Sequence, residues 1–484
     1  MKLSLITLTL TTLAAVATPP NIMVIVADDL GYGDLGITKH PKIKTPHLDA
    51  LANQGALFHH FYSPAQVCSP SRAAMITGRM PHRMGIYSFI GGSSGNLTHI
   101  PKSETTLPQL LKKQGYQTAI VGKWHNSLND IQAKNPAIPS MSHYGFDYWF
   151  CSDDNAKILN KPNWRRNGKN EGVRRDLAAN VVADETIHWL TNKRKPNTPF
   201  IQFVHFYEPH WRIEAPKPLV DSYLENATNN KNEAIYFAAV SNVDKQIGRI
   251  LTCLDKLNLA DNTAVFFSSD HGPAKLGKGH SSDRSYGTAA PYRGNKYGLW
   301  DGSIHVPGIV RWPLQIQAGH EVHTPAGSID WFPTILAMTN TPLPKKLEID
   351  GANHLPLLLG KPFSRNKPLQ WHHYNTNVKN APNPNAVMRK GDFIICGFYD
   401  PSTQLAKASW KEAHLSKVKT GKLTRFSLYN LKSDPKQKHD ISGQHPQLFS
   451  QLKKQLIKAH LTMQKQAIGW KGTQTITQHP DPTH

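Results

Sequence analysis

Three apolar runs rich in β-branched and aromatic residues punctuate the first part of the chain: Asn21 to Ala27, Pro199 to Phe206 and Thr263 to Ser269. None alternates apolar with polar positions, so each reads as a strand buried on both faces of a parallel sheet, and each ends in polar residues. Ligands of open parallel sheets gather at strand carboxyl ends, which is where Asp28 and Asp29 fall. Between the second and third runs, Phe237, Val240, Val243, Ile247, Ile250, Leu254 and Leu257 recur every three or four residues. That spacing predicts an amphipathic helix leading into the strand. Strands alternating with helices in this way predict an α/β doubly wound domain, here spanning residues 20–360.

The pattern changes beyond about residue 360. Gln370 to Tyr374, Ala386 to Lys390, Asp392 to Phe398 and Arg425 to Leu431 read as antiparallel strands. Leu448, Leu452, Leu456 and His460 then mark one face of a helix, with Asp434-Pro435 supplying the turn before it. Residues 361–484 are therefore expected to form a smaller antiparallel sheet-plus-helix subdomain.

The first 17 residues have a charged start, an apolar middle and the small-residue ending Ala15-Val16-Ala17, the layout of a secretory signal. The run is shorter than the ~20 apolar residues that span a bilayer, so no membrane anchor is expected. The mature protein should be periplasmic or secreted. Of the four cysteines, Cys253 lies in the helical pattern and Cys396 in a strand-like run, so both read as core residues and at most one disulfide is expected.

Lysine and arginine number 56 against 34 acidic residues, a formal net charge of +22, which favours polyanionic partners. No nucleic-acid module is recognisable. Lys157, Lys161, Trp164, Arg165, Arg166, Lys169, Arg174 and Arg175 crowd one stretch, and Lys407, Trp410, Lys411, Lys417 and Lys419 another. Each reads either as a solvated basic face or as a surface that would hold a polyanion by charge and aromatic stacking.

The stretch richest in chemistry is Cys68-Ser69-Pro70-Ser71-Arg72, continuing Ala-Ala-Met-Ile-Thr-Gly to Arg79. A helix starting here would put Cys68 and Arg72, four apart, on one face, and its amino terminus would favour an anionic oxygen at position 68. The run resembles the signature of the type I sulfatases, in which a maturation enzyme oxidises the cysteine to formylglycine while the chain is extended. One hydroxyl of the hydrated aldehyde attacks sulfur and the other, once deprotonated, expels sulfate.

Companion motifs follow in that family's order. Ala27-Asp28-Asp29 with Ser269-Asp270-His271-Gly272 resembles the metal site. The resemblance implies Asp28, Asp29, Asp270, His271 and formylglycine 68 as ligands of one Ca²⁺. His271 stands where some members carry asparagine. Gly122-Lys123-Trp124-His125 resembles the element whose lysine contacts formylglycine and sulfate and whose histidine takes a proton from the remaining hydroxyl. Glu208-Pro209-His210 and Arg293-Gly294-Asn295-Lys296 resemble the elements that supply a proton donor to the departing sugar oxygen and a further cation. His205, inside an apolar strand, reads as structural. Asp301-Gly302-Ser303-Ile304-His305 departs from the family's more usual E-G-G-x-R.

The resemblance runs from about residue 20 to 460 and implies an alkaline phosphatase-like fold. The expected activity is removal of sulfate from a sulfated oligosaccharide or polysaccharide, such as the marine galactan carrageenan. Two rivals stand beside it: a phosphomonoester or phosphodiester hydrolase of the same superfamily, and a polysaccharide-binding protein whose Cys68 is never matured.

Overall fold

A computed structural model describes residues 18–90, 98–127, 138–152, 163–277, 282–373, 383–400 and 412–469. The signal-like stretch, Lys157, Lys161, Lys407, Trp410 and Lys411 lie outside them.

The three apolar runs form adjacent strands, Asn21–Ala27, Phe200–His205 and Thr263–Ser269, at the centre of a ten-stranded sheet. Asn21–Ala27 pairs in parallel with both of the others. Gln117–Gly122 and Tyr148–Ser152 extend the parallel set on one side. Beyond them, Asn163–Arg166 and Lys169–Val173 form an antiparallel edge hairpin. On the other side Gly308–Arg311, Ala56–Phe58 and His320–Val322 complete the sheet.

Every residue of Asn21–Ala27 is buried, because successive side chains feed opposite cores. Ile22, Val24 and Val26 pack on the side of helices Cys68–Thr77, Leu107–Lys113 and Trp331–Met338. Met23, Ile25 and Ala27 pack on the side of Ala178–His188, Pro46–Asn53 and the long helix Lys231–Lys256. That long helix buries the predicted apolar stripe from Phe237 to Leu254. Its start is fixed by Asn230, whose side chain accepts from the amides of Asn232 and Glu233.

A four-stranded antiparallel sheet, Leu369–His372, Ala386–Lys390, Phe393–Tyr399 and Leu423–Asn430, forms the smaller layer. One face packs on helix Pro446–Gln466 through Leu452 and Leu456. The other meets Tyr62, Leu299, Trp300 and Ile304 of the larger layer. The helix begins eleven residues past Pro435; the turn at Asp434 instead closes on Lys438 and His439, whose amides its carboxylate accepts.

Two sequence expectations are corrected. Trp164 is 2% exposed, stacked on Phe150 and edge-on to Tyr207, so it is a core residue and cannot offer a platform to a sugar. Arg166 lies over the Phe150 ring and donates to both oxygens of Glu185 at 2.7 Å, with Glu171 also at 2.7 Å. Its charge is neutralised by Glu171 of the edge hairpin and by Glu185 of helix Ala178–His188. All four cysteines are buried and none is in a disulfide. No helix among the described residues is long and apolar enough to cross a membrane.

Candidate active site

The fold brings six distant segments together at the carboxyl ends of the sheet's parallel strands, the loop bearing Lys296 among them. Asp28 and Asp29 follow Asn21–Ala27, Asp270 and His271 follow Thr263–Ser269, Lys123 follows Gln117–Gly122, and His210 comes five residues after Phe200–His205. Cys68 is the first residue of helix Cys68–Thr77, so it faces them from a helix amino terminus, where unpaired amides favour negative charge. Pro70 sits in the first turn, where its missing N–H costs the helix nothing.

Cys68 Sγ is 3.2 Å from His271 Nε2, 3.6 Å from Asp28 Oδ1, 3.7 Å from Lys296 Nζ and 3.8 Å from Lys123 Nζ. Around it, acids and bases pair off. Lys123 donates to Asp28 Oδ2 and Lys296 to Asp29 Oδ1, the latter at 2.7 Å. Arg72 donates from Nε to Asp270 Oδ2 at 2.9 Å and from Nη1 to the Lys123 carbonyl at 3.2 Å. All of these side chains are at most 6% exposed. Water screening is therefore weak, and charges interact more strongly than at the surface.

The electrostatic consequences follow from that crowding. Burial works to raise the pKa of Asp28, but Lys123, His210, Arg72 and Lys296 hold it well below the ordinary carboxylate value. Asp29 is lowered the same way, against its burial, chiefly by Lys296 and His210. Burial lowers His210 to about 4 despite Asp29 beside it. His125, buried against Lys123, is likewise pushed well below its usual value. At neutral pH both imidazoles are thus uncharged before substrate enters.

The histidines are oriented by backbone carbonyls. His271 Nδ1 lies 2.9 Å from the Gly272 carbonyl, which directs Nε2 into the acidic cluster. His210 Nδ1 donates to the Trp211 carbonyl at 2.7 Å, and His125 Nε2 to the Ile90 carbonyl at 3.1 Å. His205 is structural, as its strand position indicates: fully buried, it donates from Nδ1 to the Lys123 carbonyl at 3.0 Å. It therefore steadies the segment that carries Lys123.

The donor set fits a divalent cation. Asp28, Cys68, Asp270 and His271 offer ligand atoms within 4.8 Å of one another, and Asp28, Asp29, Cys68 and His210 form an overlapping set. Three carboxylates and one imidazole, all buried, match the oxygen-rich coordination of Ca²⁺ or Mg²⁺. Asp270 and Cys68 outweigh the burial of His271 and raise its pKa to about 9.

All the sequence-picked site residues, Asp28, Asp29, Cys68, Arg72, Lys123, His125, His210, Asp270, His271 and Lys296, line this one cluster. Sequence reasoning missed Glu208, although it stands inside one of the motifs. Fully buried, Glu208 accepts from the Ala179 amide at 2.8 Å, and its backbone carbonyl accepts from the Asp28 amide at 3.2 Å. Burial raises its pKa to about 7. Ser69 was missed as well; its hydroxyl accepts from the Ile90 amide at 2.8 Å and so ties the residue whose carbonyl holds His125 to the nucleophile helix.

Comparison with known proteins agrees with this geometry. Residues 20–341 match the sulfatase family model, and residues 295–465 match the model of the N-sulphoglucosamine sulphohydrolase C-terminal region. Human N-acetylgalactosamine-6-sulfatase is 34% identical over 70% of this chain, a match spanning 66% of that enzyme, just under two thirds of its length. Rat steryl-sulfatase is 29% identical over 87% of this chain and 85% of its own. Among solved structures, Ps i-CgsB in complex with k-i-k-neocarrahexaose superposes with a TM-score of 0.75 at 23% identity, covering 94% of this chain and 95% of that one. A Bacteroides thetaiotaomicron protein solved in work on metabolism of multiple glycosaminoglycans gives 0.73 at 24%, covering 92% and 100%. At these identities the structural likeness speaks for the fold, and the family match over residues 20–341 makes this chain a member of the sulfatase family.

Proposed function

We propose that this protein is an exported sulfatase that removes sulfate from carbohydrate, with a carrageenan-type galactan as its substrate, through a formylglycine made from Cys68. The observation that carries the reading is the ring of Arg72, Lys123 and Lys296 around a buried Cys68 at a helix amino terminus, opposite a carboxylate cluster suited to calcium. A sulfate ester is anionic, and this ring offers it positive charge where water is excluded.

In this reading Asp28, Asp29, Asp270, His271 and formylglycine 68 would hold Ca²⁺, which would supply charge that offsets sulfate oxygens. The aldehyde hydrate supplies the attacking hydroxyl. The Cys68 Sγ in the structure occupies the place of those oxygens. Arg72, on the next turn of the same helix, stabilises negative charge on them. Lys123 and Lys296 hold the sulfate. His125, uncharged and fixed through Ile90, accepts the proton of the hydroxyl that remains. His210, fixed through Trp211, passes a proton from Nε2 to the departing sugar oxygen. Burial first, and then Lys296 and Lys123, hold the His210 pKa down; the incoming anionic sulfate opposes them and so favours its protonation once substrate is bound.

The galactan assignment draws on the +22 net charge and on the fold shared with a protein solved around neocarrahexaose. Mass spectrometry of the peptide containing residue 68, together with sulfate release from carrageenan, ulvan, fucan and glycosaminoglycan oligosaccharides and from aryl phosphate, tests it. An aldehyde at residue 68 and release from carrageenan are expected. An intact thiol in an inactive chain, or preference for the phosphate, overturns the sulfatase reading; release confined to another glycan overturns only the galactan.

A further inference from the structure

The segment Asp301–His305 lies where the family's E-G-G-x-R is usually found, yet Asp301 and His305 are fully buried and face each other. Asp301 accepts from His305 Nδ1 at 2.7 Å with one oxygen and from the Tyr62 hydroxyl at 2.9 Å with the other. His305 Nε2 lies 3.0 Å from the His59 carbonyl oxygen. The same Tyr62 hydroxyl accepts from Arg389, on a strand of the smaller sheet, and Arg389 Nε also donates to the Gly391 carbonyl at 2.8 Å. A second tie comes from Gln437, which accepts the Asp301 amide at 2.8 Å while its carbonyl accepts from Arg293 at 3.3 Å.

The short helix anchored this way touches both neighbouring site segments backbone to backbone. The Gly272 amide, next to His271, donates to the Ser303 carbonyl at 3.0 Å, and the Gly302 amide to the Arg293 carbonyl at 2.8 Å. Lys296 in turn donates its amide to Pro273 at 2.8 Å. There is no slack in the packing. A Cβ at Gly272 would sit 2.2 Å from the Gly302 carbonyl oxygen, and one at Gly294 would sit 2.5 Å from Ser303 Oγ. A shift of the Asp301 helix must therefore move the His271 turn and the Lys296 loop together.

We propose that Asp301 is a positioning residue: with Tyr62, His305 and Arg389 it sets the placement of His271 and Lys296, and so makes the sulfate site depend on contact with the smaller sheet. The inference rests on the roles given above to those two residues. It extends them to a group that touches neither metal nor sulfate.

The test compares wild type with Asp301→Asn and with the milder Tyr62→Phe, which removes one oxygen and keeps the ring. On aryl sulfate, kcat/KM should fall by roughly a hundredfold for the first and tenfold for the second, mostly through KM. Calcium affinity, measured calorimetrically in a Cys68→Ala background, should weaken about tenfold for Asp301→Asn, a readout independent of maturation. Backbone hydrogen exchange should quicken at residues 271–272 and 293–298 while strand Gln117–Gly122 stays protected. A lower melting temperature with unchanged KM and calcium affinity would overturn the proposal, because Asp301 would then serve stability alone. If wild type released no sulfate yet the variants still lost calcium affinity and local protection, the sulfatase reading would fail and the positioning role would stand.

Discussion

Arg72 and Asp270, 198 positions apart, meet through Nε and Oδ2 at 2.9 Å with both side chains wholly buried. The pair fixes the guanidinium plane one helical turn from Cys68. Lysine at position 72 would keep the charge but lose the planar fork that reaches the carboxylate and the Lys123 carbonyl together. Arg72→Lys should therefore cut kcat/KM on aryl sulfate by about a hundredfold or more, as loss of an oxyanion contact does. A loss under threefold in steady-state assays would remove Arg72 from the reacting centre.

Chelation should silence the enzyme, and added calcium should restore it. Asp28→Ala should abolish both activity and restoration, since Asp28 faces Cys68, Lys123 and the acidic cluster at once. Elemental analysis of the chelated protein checks the premise. Full turnover in metal-free protein would leave the cluster without a catalytic part.

A proton donor matters most when the leaving group is poor. His210→Ala is expected to slow desulfation of a sugar alcohol by about 10²-fold or more, within the usual range for general acid catalysis. Aryl sulfate, whose phenolate departs unaided, should lose less than tenfold. Equal losses on the two substrates, compared by sulfate release, would assign His210 to binding.

Glu208 predicts a pH dependence of stability. Its folded pKa is about 7 against an ordinary 4.5, because burial penalises the carboxylate. Between those values the folded state keeps a proton that the unfolded chain has released. Its contribution is therefore present below about pH 4.5 and is lost as pH rises through 7. The loss is about 3 kcal/mol in all, from ~1.36 kcal/mol for each pH unit between the two values. Glu208→Gln should raise the melting temperature relative to wild type by a few degrees at pH 8 and by much less at pH 5. Parallel melting curves at both pH values would contradict the buried neutral carboxyl.

The parallel core was legible because its strands must be apolar on both faces, and few other settings demand Asn21 to Ala27 without a polar break. Site residues were legible where a short motif ties residue type to chemistry, as in Cys68 to Arg72 and Gly122 to His125. What escaped reading was pairing across the fold. Arg166 looked like a cation available to substrate because Glu185, nineteen positions on, gives no local sign of facing it. Trp164 looked like a sugar platform because Phe150 and Tyr207 reach it only through the sheet. Asp301 and His305 carried a helical spacing, but Tyr62 and Arg389, 327 positions apart, meet only when the two sheets come together.

Cys68 is 2% exposed and walled by His271, Asp28 and two lysines. No second protein can grip the main chain on both sides of that thiol once helix Cys68–Thr77 has docked, since every residue of the helix is buried. Under the formylglycine maturation proposed above, folding and modification are rival clocks running on the same molecule. The proportion of competent enzyme in any preparation is set by which one finishes first, and a slower-folding variant would yield more of it than a faster one.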